Sequence, residues 1–144
     1  MYLEISARQT GKTIRMINQI YADKHLFDIQ ILMGMNQNSL KLIKDKIKGN
    51  NKVKICLSFD SLIKTLSKYE EKRIRLYVDE FLYSTAFVNN YNKINETLEC
   101  KFTLLENGYF SSSINSNAVM VLFYMQLMNN ELIYSMHSTL DRPL

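Results

Sequence analysis

A chain of 144 residues with 47% hydrophobic and 22% charged residues has the make-up of one ordinary globular domain with room for a core. Four glycines, a single proline and no tryptophan exclude collagen-like, low-complexity and linker-rich architectures, and the longest apolar run, 118–128, is too short to span a bilayer. The net charge of +4 admits a nucleic-acid partner without requiring one.

Taken in chain order, Tyr2-Leu3-Glu4-Ile5 is a short first strand that ends in small polar residues. Residues 12–22 are expected to be helical, with Ile14, Ile17 and Tyr21 on one face and Ile20 beside them. Asp28 to Met33 is a second strand. Asn36 or Asn38 would cap a second helix lined by Leu40, Ile43 and Ile47, which Gly49-Asn50-Asn51 stops. Val53 to Leu57 is a third strand, followed by a helix capped by Ser58 or Asp60 and carrying Leu62, Ile63 and Leu66.

Ile74 to Val78 is a fourth strand that ends in Asp79-Glu80, and Phe87, Tyr91, Ile94 and Leu98 keep helical spacing after it. A fifth strand is expected over Lys101 to Leu105. Asn117 to Met128 fits either a buried helix or a strand, and Glu131 to Met136 a final strand. Strands alternating with helices over 1–144 predict one α/β domain: a three-layer sandwich with a mostly parallel central sheet. Cys56 and Cys100 belong to no Cys/His cluster, so zinc is not expected; both are read as buried free thiols in a reducing compartment. His25 and His137 have no sequence partner and receive no role.

The chemistry is concentrated in two places. Ser6-Ala7-Arg8-Gln9-Thr10-Gly11-Lys12-Thr13 lies between a strand and a helix, and fits a phosphate-binding loop whose first glycine is replaced by serine. Backbone N–H groups of such a loop, from Ala7 to Thr13, match the dense charge of a triphosphate, and the helix adds its positive dipole end. Gly11 permits close backbone approach, Lys12 would reach the terminal phosphates, and Thr13 would offer its hydroxyl to Mg²⁺. The alternative is an ordinary polar turn before a helix. The second place is Asp79-Glu80 at the carboxyl end of an apolar strand, where ligands of open α/β sheets bind. Asp79 would hold Mg²⁺ and Glu80 would act as general base on the attacking water. Its alternative is a solvated acidic pair opening a helix. The two motifs in this order predict ATP and Mg²⁺ as ligands.

With its loop and its strand ending in Asp-Glu, residues 2–82 resemble the additional-strand, catalytic-glutamate division of P-loop NTPases. Within that division, Ala7-Arg8-Gln9-Thr10-Gly11-Lys12-Thr13 is most similar to the large terminase ATPases that package DNA into bacteriophage heads. Ile31 to Asn38 and Ser58 to Leu62 sit where that family places its motifs after the second and third strands. The resemblance implies a P-loop NTPase fold with Arg8 as an arginine finger supplied from within the loop; a surface ion pair is the other reading of Arg8. It also implies a coupling motif of small polar residues after the strand beyond Asp-Glu, for which Ser111-Ser112-Ser113 is a counterpart, with Asn107 or Thr103 as alternative polar sensors.

The chain departs from the family at Ser6, and neither the family's upstream adenine-recognition motif nor its nuclease domain is expected within these 144 residues. Lys41, Lys44 and Lys48 form a stripe on the second helix that would suit phosphates of double-stranded DNA; a solvated helix face is the commoner explanation of such a stripe. The expected function is Mg²⁺-dependent ATP hydrolysis coupled to DNA packaging or translocation. Double-stranded DNA, motor or capsid components and further copies of the chain are the expected partners, and a membrane is not. The expected setting is the cytoplasm of a virus-infected host cell, without a signal peptide. The alternative is a nucleotide-binding or degenerate interaction module that regulates a larger machine with little turnover of its own.

Overall fold

A computed structural model of the chain describes residues 2–6, 11–34, 37–47, 53–69, 71–84, 87, 89, 90, 93, 96, 108–113 and, for backbone alone, 133–137. In chain order these give β1 (Tyr2–Ser6), α1 (Lys12–Ala22), β2 (Ile29–Met33), α2 (Gln37–Lys46), β3 (Val53–Cys56), α3 (Phe59–Lys68), β4 (Ile74–Asp79), a 3-10 turn (Phe81–Tyr83), β5 (Gly108–Ser113) and β6 (Ile133–His137). The strands form one six-stranded sheet in the order β3-β2-β4-β5-β1-β6, and every pairing is parallel. The α/β class and the parallel sheet expected from the alternation of elements are therefore present.

Both faces of the sheet are covered, which is why its strands read as near-continuous apolar runs. On one face Leu3, Ile5, Ile31, Met33, Leu76, Val78 and Phe110 pack with Leu62 and Leu66 of α3 and with Phe81. Phe87 closes this side, its ring edge-on to Phe81 and 4.9 Å from Phe110 between centroids. On the other face Leu32, Tyr77 and Tyr109 meet Met16, Ile17 and Ile20 of α1 and Leu40 and Ile43 of α2.

Local signals explain the element ends. Ser58 caps α3 by accepting a hydrogen bond from the Ser61 N–H at 3.1 Å, which settles the choice between Ser58 and Asp60. Asp28 precedes β2 and accepts the Arg73 N–H at 2.9 Å, tying the starts of β2 and β4 together. Asn38 lies inside α2, so it is not the cap, and Asn36 is outside the described residues.

Two expectations need correction. Ile14 and Tyr21 do not face the core: they are 63% and 47% exposed, while Met16, Ile17 and Ile20 are buried. Tyr21 instead donates its hydroxyl hydrogen to the Lys46 carbonyl at the end of α2. The three serines 111–113 do not follow a strand; they are its carboxyl half, in β5. The strand expected over 101–105, the segment 117–128, Tyr91, Ile94, Leu98 and Cys100 lie outside the described residues. Cys56 is a buried free thiol.

At the amino-terminal edge of the sheet a buried polar network anchors the far end of α1. Asp23 accepts from the Tyr77 hydroxyl at 2.6 Å and from Arg75 at 2.9 Å, while Gln30 donates to the Tyr77 hydroxyl and to the Ile20 carbonyl. Burial and the neighbouring Asp23 push the Tyr77 phenol well above its ordinary range, so it remains a donor.

Candidate nucleotide site

The site lies at the carboxyl ends of β1, β5 and β4, beneath the start of α1. Strand order makes this possible: β5 is interposed between β1 and β4, so the three strand ends are adjacent. Register aligns Glu4, Ser111 and Asp79 in one row across β1, β5 and β4, with Ser6 beside Ser113 in the row beyond.

Gly11 starts α1 with φ 83°, a left-handed conformation that a side chain would strain. Lys12 follows as the first helical residue and is buried, with its Nζ 3.9 Å from Glu80 Oε1. Thr13 is half-buried in the same turn. Ser6, which stands where a glycine was expected, is buried as the last residue of β1 and has a negative φ, so this position makes no conformational demand for glycine. Ala7, Arg8, Gln9 and Thr10 lie outside the described residues.

Asp79 ends β4 and is 5% exposed. Burial first, and the adjacent Glu80 second, raise its carboxyl to about 7, with Lys12 acting in the opposite direction. Its Oδ1 is buried without a hydrogen-bond partner, and so is the hydroxyl of Ser111 next to it in register. Hard oxygen donors left unpaired in a buried place suit a small divalent cation better than they suit a core.

Glu80 is the one described non-glycine residue with positive φ, at 52°. Such a conformation is uncommon for a glutamate and concentrates at functional positions. The turn is held from outside: the Ser113 N–H and hydroxyl donate to the two Glu80 carboxylate oxygens at 3.2 and 3.1 Å. Ser112 points to the other face, where its hydroxyl accepts the Leu82 N–H at 3.4 Å. Each serine of the triplet thus has a separate place: Ser111 beside Asp79, Ser112 under the 3-10 turn, and Ser113 on Glu80.

The structure places Lys12 3.9 Å from Glu80 and within electrostatic reach of Asp79, with Gly11 and Thr13 as the chain neighbours of Lys12. Lys41 and Lys44 are exposed on α2, and Lys48 lies outside the described residues, as do Thr103 and Asn107. Sequence reasoning missed Glu4 and Arg15. Glu4 is fully buried in β1 and accepts from Arg15 Nε at 2.7 Å. The available signal was a glutamate inside a strand of a sheet expected to be covered on both faces. Among the described residues no helix is long and apolar enough to cross a membrane. No family model matches the chain, and no curated protein is similar enough to count as a match.

Proposed function

We propose that the chain binds ATP with Mg²⁺ and hydrolyses it. One observation carries the reading: the start of α1 and the end of β4 bring a buried Lys12, a buried Asp79 and a strained Glu80 to one spot at the carboxyl ends of parallel strands. A lysine so buried needs an anionic partner. Here it has a carboxylate at 3.9 Å.

Lys12 and the backbone around Gly11 would hold the terminal phosphates. The Thr13 hydroxyl and the Asp79 carboxylate would hold Mg²⁺, which when bound neutralises charge on those phosphates. Glu80 would take the proton of the attacking water as the γ-phosphoryl group leaves its bridging oxygen. Ser113 fixes where that carboxylate points. The interposed β5, with its polar end at the site, supports an assignment to the additional-strand, catalytic-glutamate division of P-loop NTPases. The exposed lysines of α2 support double-stranded DNA as the partner of a terminase-like motor.

The test is phosphate release from ATP·Mg²⁺, with and without double-stranded DNA and across protein concentrations. Calorimetric titration of the same proteins with ATP·Mg²⁺ runs beside it. Glu80→Gln is expected to lower turnover by about 10²-fold or more while retaining binding, and Lys12→Ala to lose binding. Equal turnover by wild type and Glu80→Gln would sink the catalytic assignment. Tight binding with no turnover in the wild type selects the regulatory nucleotide-binding module, and no binding removes both readings.

A further inference from the structure

The Glu4–Arg15 pair is not used by the chemistry above. Glu4 sits in the middle of β1 with no exposed surface, and its Oε1 receives both Nε, at 2.7 Å, and Nη2 of Arg15. The Arg15 side chain is 23% exposed. Enclosing an ion pair this way is a poor source of stability, because desolvating two charges offsets most of their attraction; apolar residues of similar volume often do as well or better. An arginine fork on a carboxylate supplies direction instead, since its planar donors accept few orientations.

That direction acts on one turn of helix. Arg15 follows Lys12 by three residues, so the two side chains leave neighbouring positions of the α1 surface. The Arg15 N–H also donates to the Gly11 carbonyl at 3.0 Å, the bond that closes the first turn. The turn that begins at the left-handed Gly11 is therefore fastened to the sheet at two points. Lys12 meets Glu80 beyond the end of β4, and Arg15 meets Glu4 in β1, in the same row as Asp79.

We propose that Glu4 and Arg15 are a positioning pair that sets the rotation of the first turn of α1, and through it the place of the Lys12 ammonium in the nucleotide site. The inference rests on the nucleotide reading for its functional half and on the fold alone for its structural half. The experiment uses the full chain carrying Glu4→Leu together with Arg15→Met, and separately Glu4→Gln, which keeps an acceptor without the charge. Three quantities are read: thermal midpoint, hydrogen exchange of the residue 15–17 amides without nucleotide, and affinity for ATP·Mg²⁺.

For the double variant the expected result is a thermal midpoint at or above that of the wild type, amide exchange in the first turn about tenfold faster, and ATP·Mg²⁺ affinity about tenfold weaker. Glu4→Gln leaves the Arg15 charge without a carboxylate, so its thermal midpoint is expected to fall, with faster first-turn exchange and weaker ATP·Mg²⁺ affinity in the same direction as the double variant; it decides the matter if the double variant does not fold. A folded variant with unchanged exchange and unchanged affinity overturns the proposal. A wild type that fails to bind ATP·Mg²⁺ removes the nucleotide reading, and the exchange measurement then still decides whether the pair orders the turn.

Discussion

Asp79→Asn should stabilise the protein in a pH-dependent way while removing its response to Mg²⁺. Asp79 is 5% exposed, and its carboxyl is raised from 3.8 to about 7. That difference corresponds to about 4 kcal/mol by which folding disfavours the ionised form. A carboxyl raised in the folded state contributes stability that is fully present below its unfolded value and is lost as pH rises through its folded value. The window is thus pH 4 to 7, with the folded wild type weakening as it loses the proton. About 2 kcal/mol of the total falls between pH 5.5 and 8.5, by linkage on the two values. The asparagine variant has no proton to lose, so its advantage over wild type should widen by about 2 kcal/mol across that interval. In urea this is a relative shift in midpoint of about 1 M for a chain of this size. The assay is urea unfolding of both proteins at pH 5.5 and 8.5 in Mg²⁺-free buffer. Midpoints that shift in parallel with pH would refute the assignment of the raised carboxyl. With ATP·Mg²⁺ at 100 times Kd, the wild type should gain about 2.7 kcal/mol and the variant far less.

The other predictions concern the supports of the site. Ser113→Ala removes the hydroxyl donated to Glu80 at 3.1 Å and leaves the backbone N–H. Turnover should fall about tenfold or more, with ATP affinity within a factor of about two, since the lost bond is to a charged group; unchanged turnover in steady-state assays would show that Ser113 does not orient Glu80. At Gly34, directly after β2, an added Cβ would lie 2.4 Å from Leu40 Cδ2 and 2.6 Å from its Cγ, and Leu40 is fully buried. Gly34→Ala should therefore cost about 1–3 kcal/mol in urea unfolding by overpacking. Ser58→Ala should cost about 1 kcal/mol through loss of the α3 cap, measurable as a thermal midpoint drop with no change in nucleotide affinity.

Much of this architecture is legible in the amino-acid sequence because the sheet is buried on both faces. Ile31-Leu32-Met33 and Leu76-Tyr77-Val78 are apolar at every position, with Asp28 just before β2 and Asp79 ending β4. β5 was illegible for the opposite reason. Gly108-Tyr109-Phe110 is a short apolar start, and three serines complete the strand. Hydrophobic periodicity therefore passes over 108–113. The serines are stable in a central strand because β1 and β4 satisfy the backbone on both sides.

The face of α1 was misread through the same preference for apolar residues. Counting Ile14, Ile17 and Tyr21 ignores Lys12 and Asp23. Both are buried, and with Met16 and Ile20 they continue the true inward stripe at each end. A helix whose buried face begins with a lysine and ends with an aspartate does not show its orientation in a hydrophobicity count.

That pattern also explains why the site lies beneath α1 and not beneath α3. Along β1, β5 and β4, the positions facing α3 and the 3-10 turn include Leu3, Ile5, Phe110, Leu76 and Val78. The alternate positions of the same strands, nearing their carboxyl ends, are Glu4, Ser6, Ser111, Ser113 and Asp79, all buried. Desolvating this many polar groups opposes folding unless each finds a partner. Glu4 Oε1 finds Arg15 and Ser113 finds Glu80, while Glu4 Oε2, Asp79 Oδ1 and the Ser111 hydroxyl have no hydrogen-bond partner. Asp79 and Ser111 are adjacent in register, and Asp79 lies within electrostatic reach of Lys12, the only buried lysine among the described residues. A cation bridged to an anion is the kind of ligand that would satisfy Asp79 and Ser111 and lie against Lys12. If that is what the polar face is for, Mg²⁺ alone should bind weakly, ATP alone should bind weakly, and each should strengthen the other by the same factor, as reciprocal linkage requires. Calorimetric titration of ATP into the protein with and without Mg²⁺ measures that factor. Because free ATP also binds Mg²⁺ in solution, the comparison must use the corrected free concentrations. An ATP affinity indifferent to Mg²⁺ after that correction would separate the unpaired Asp79 and Ser111 from the nucleotide site.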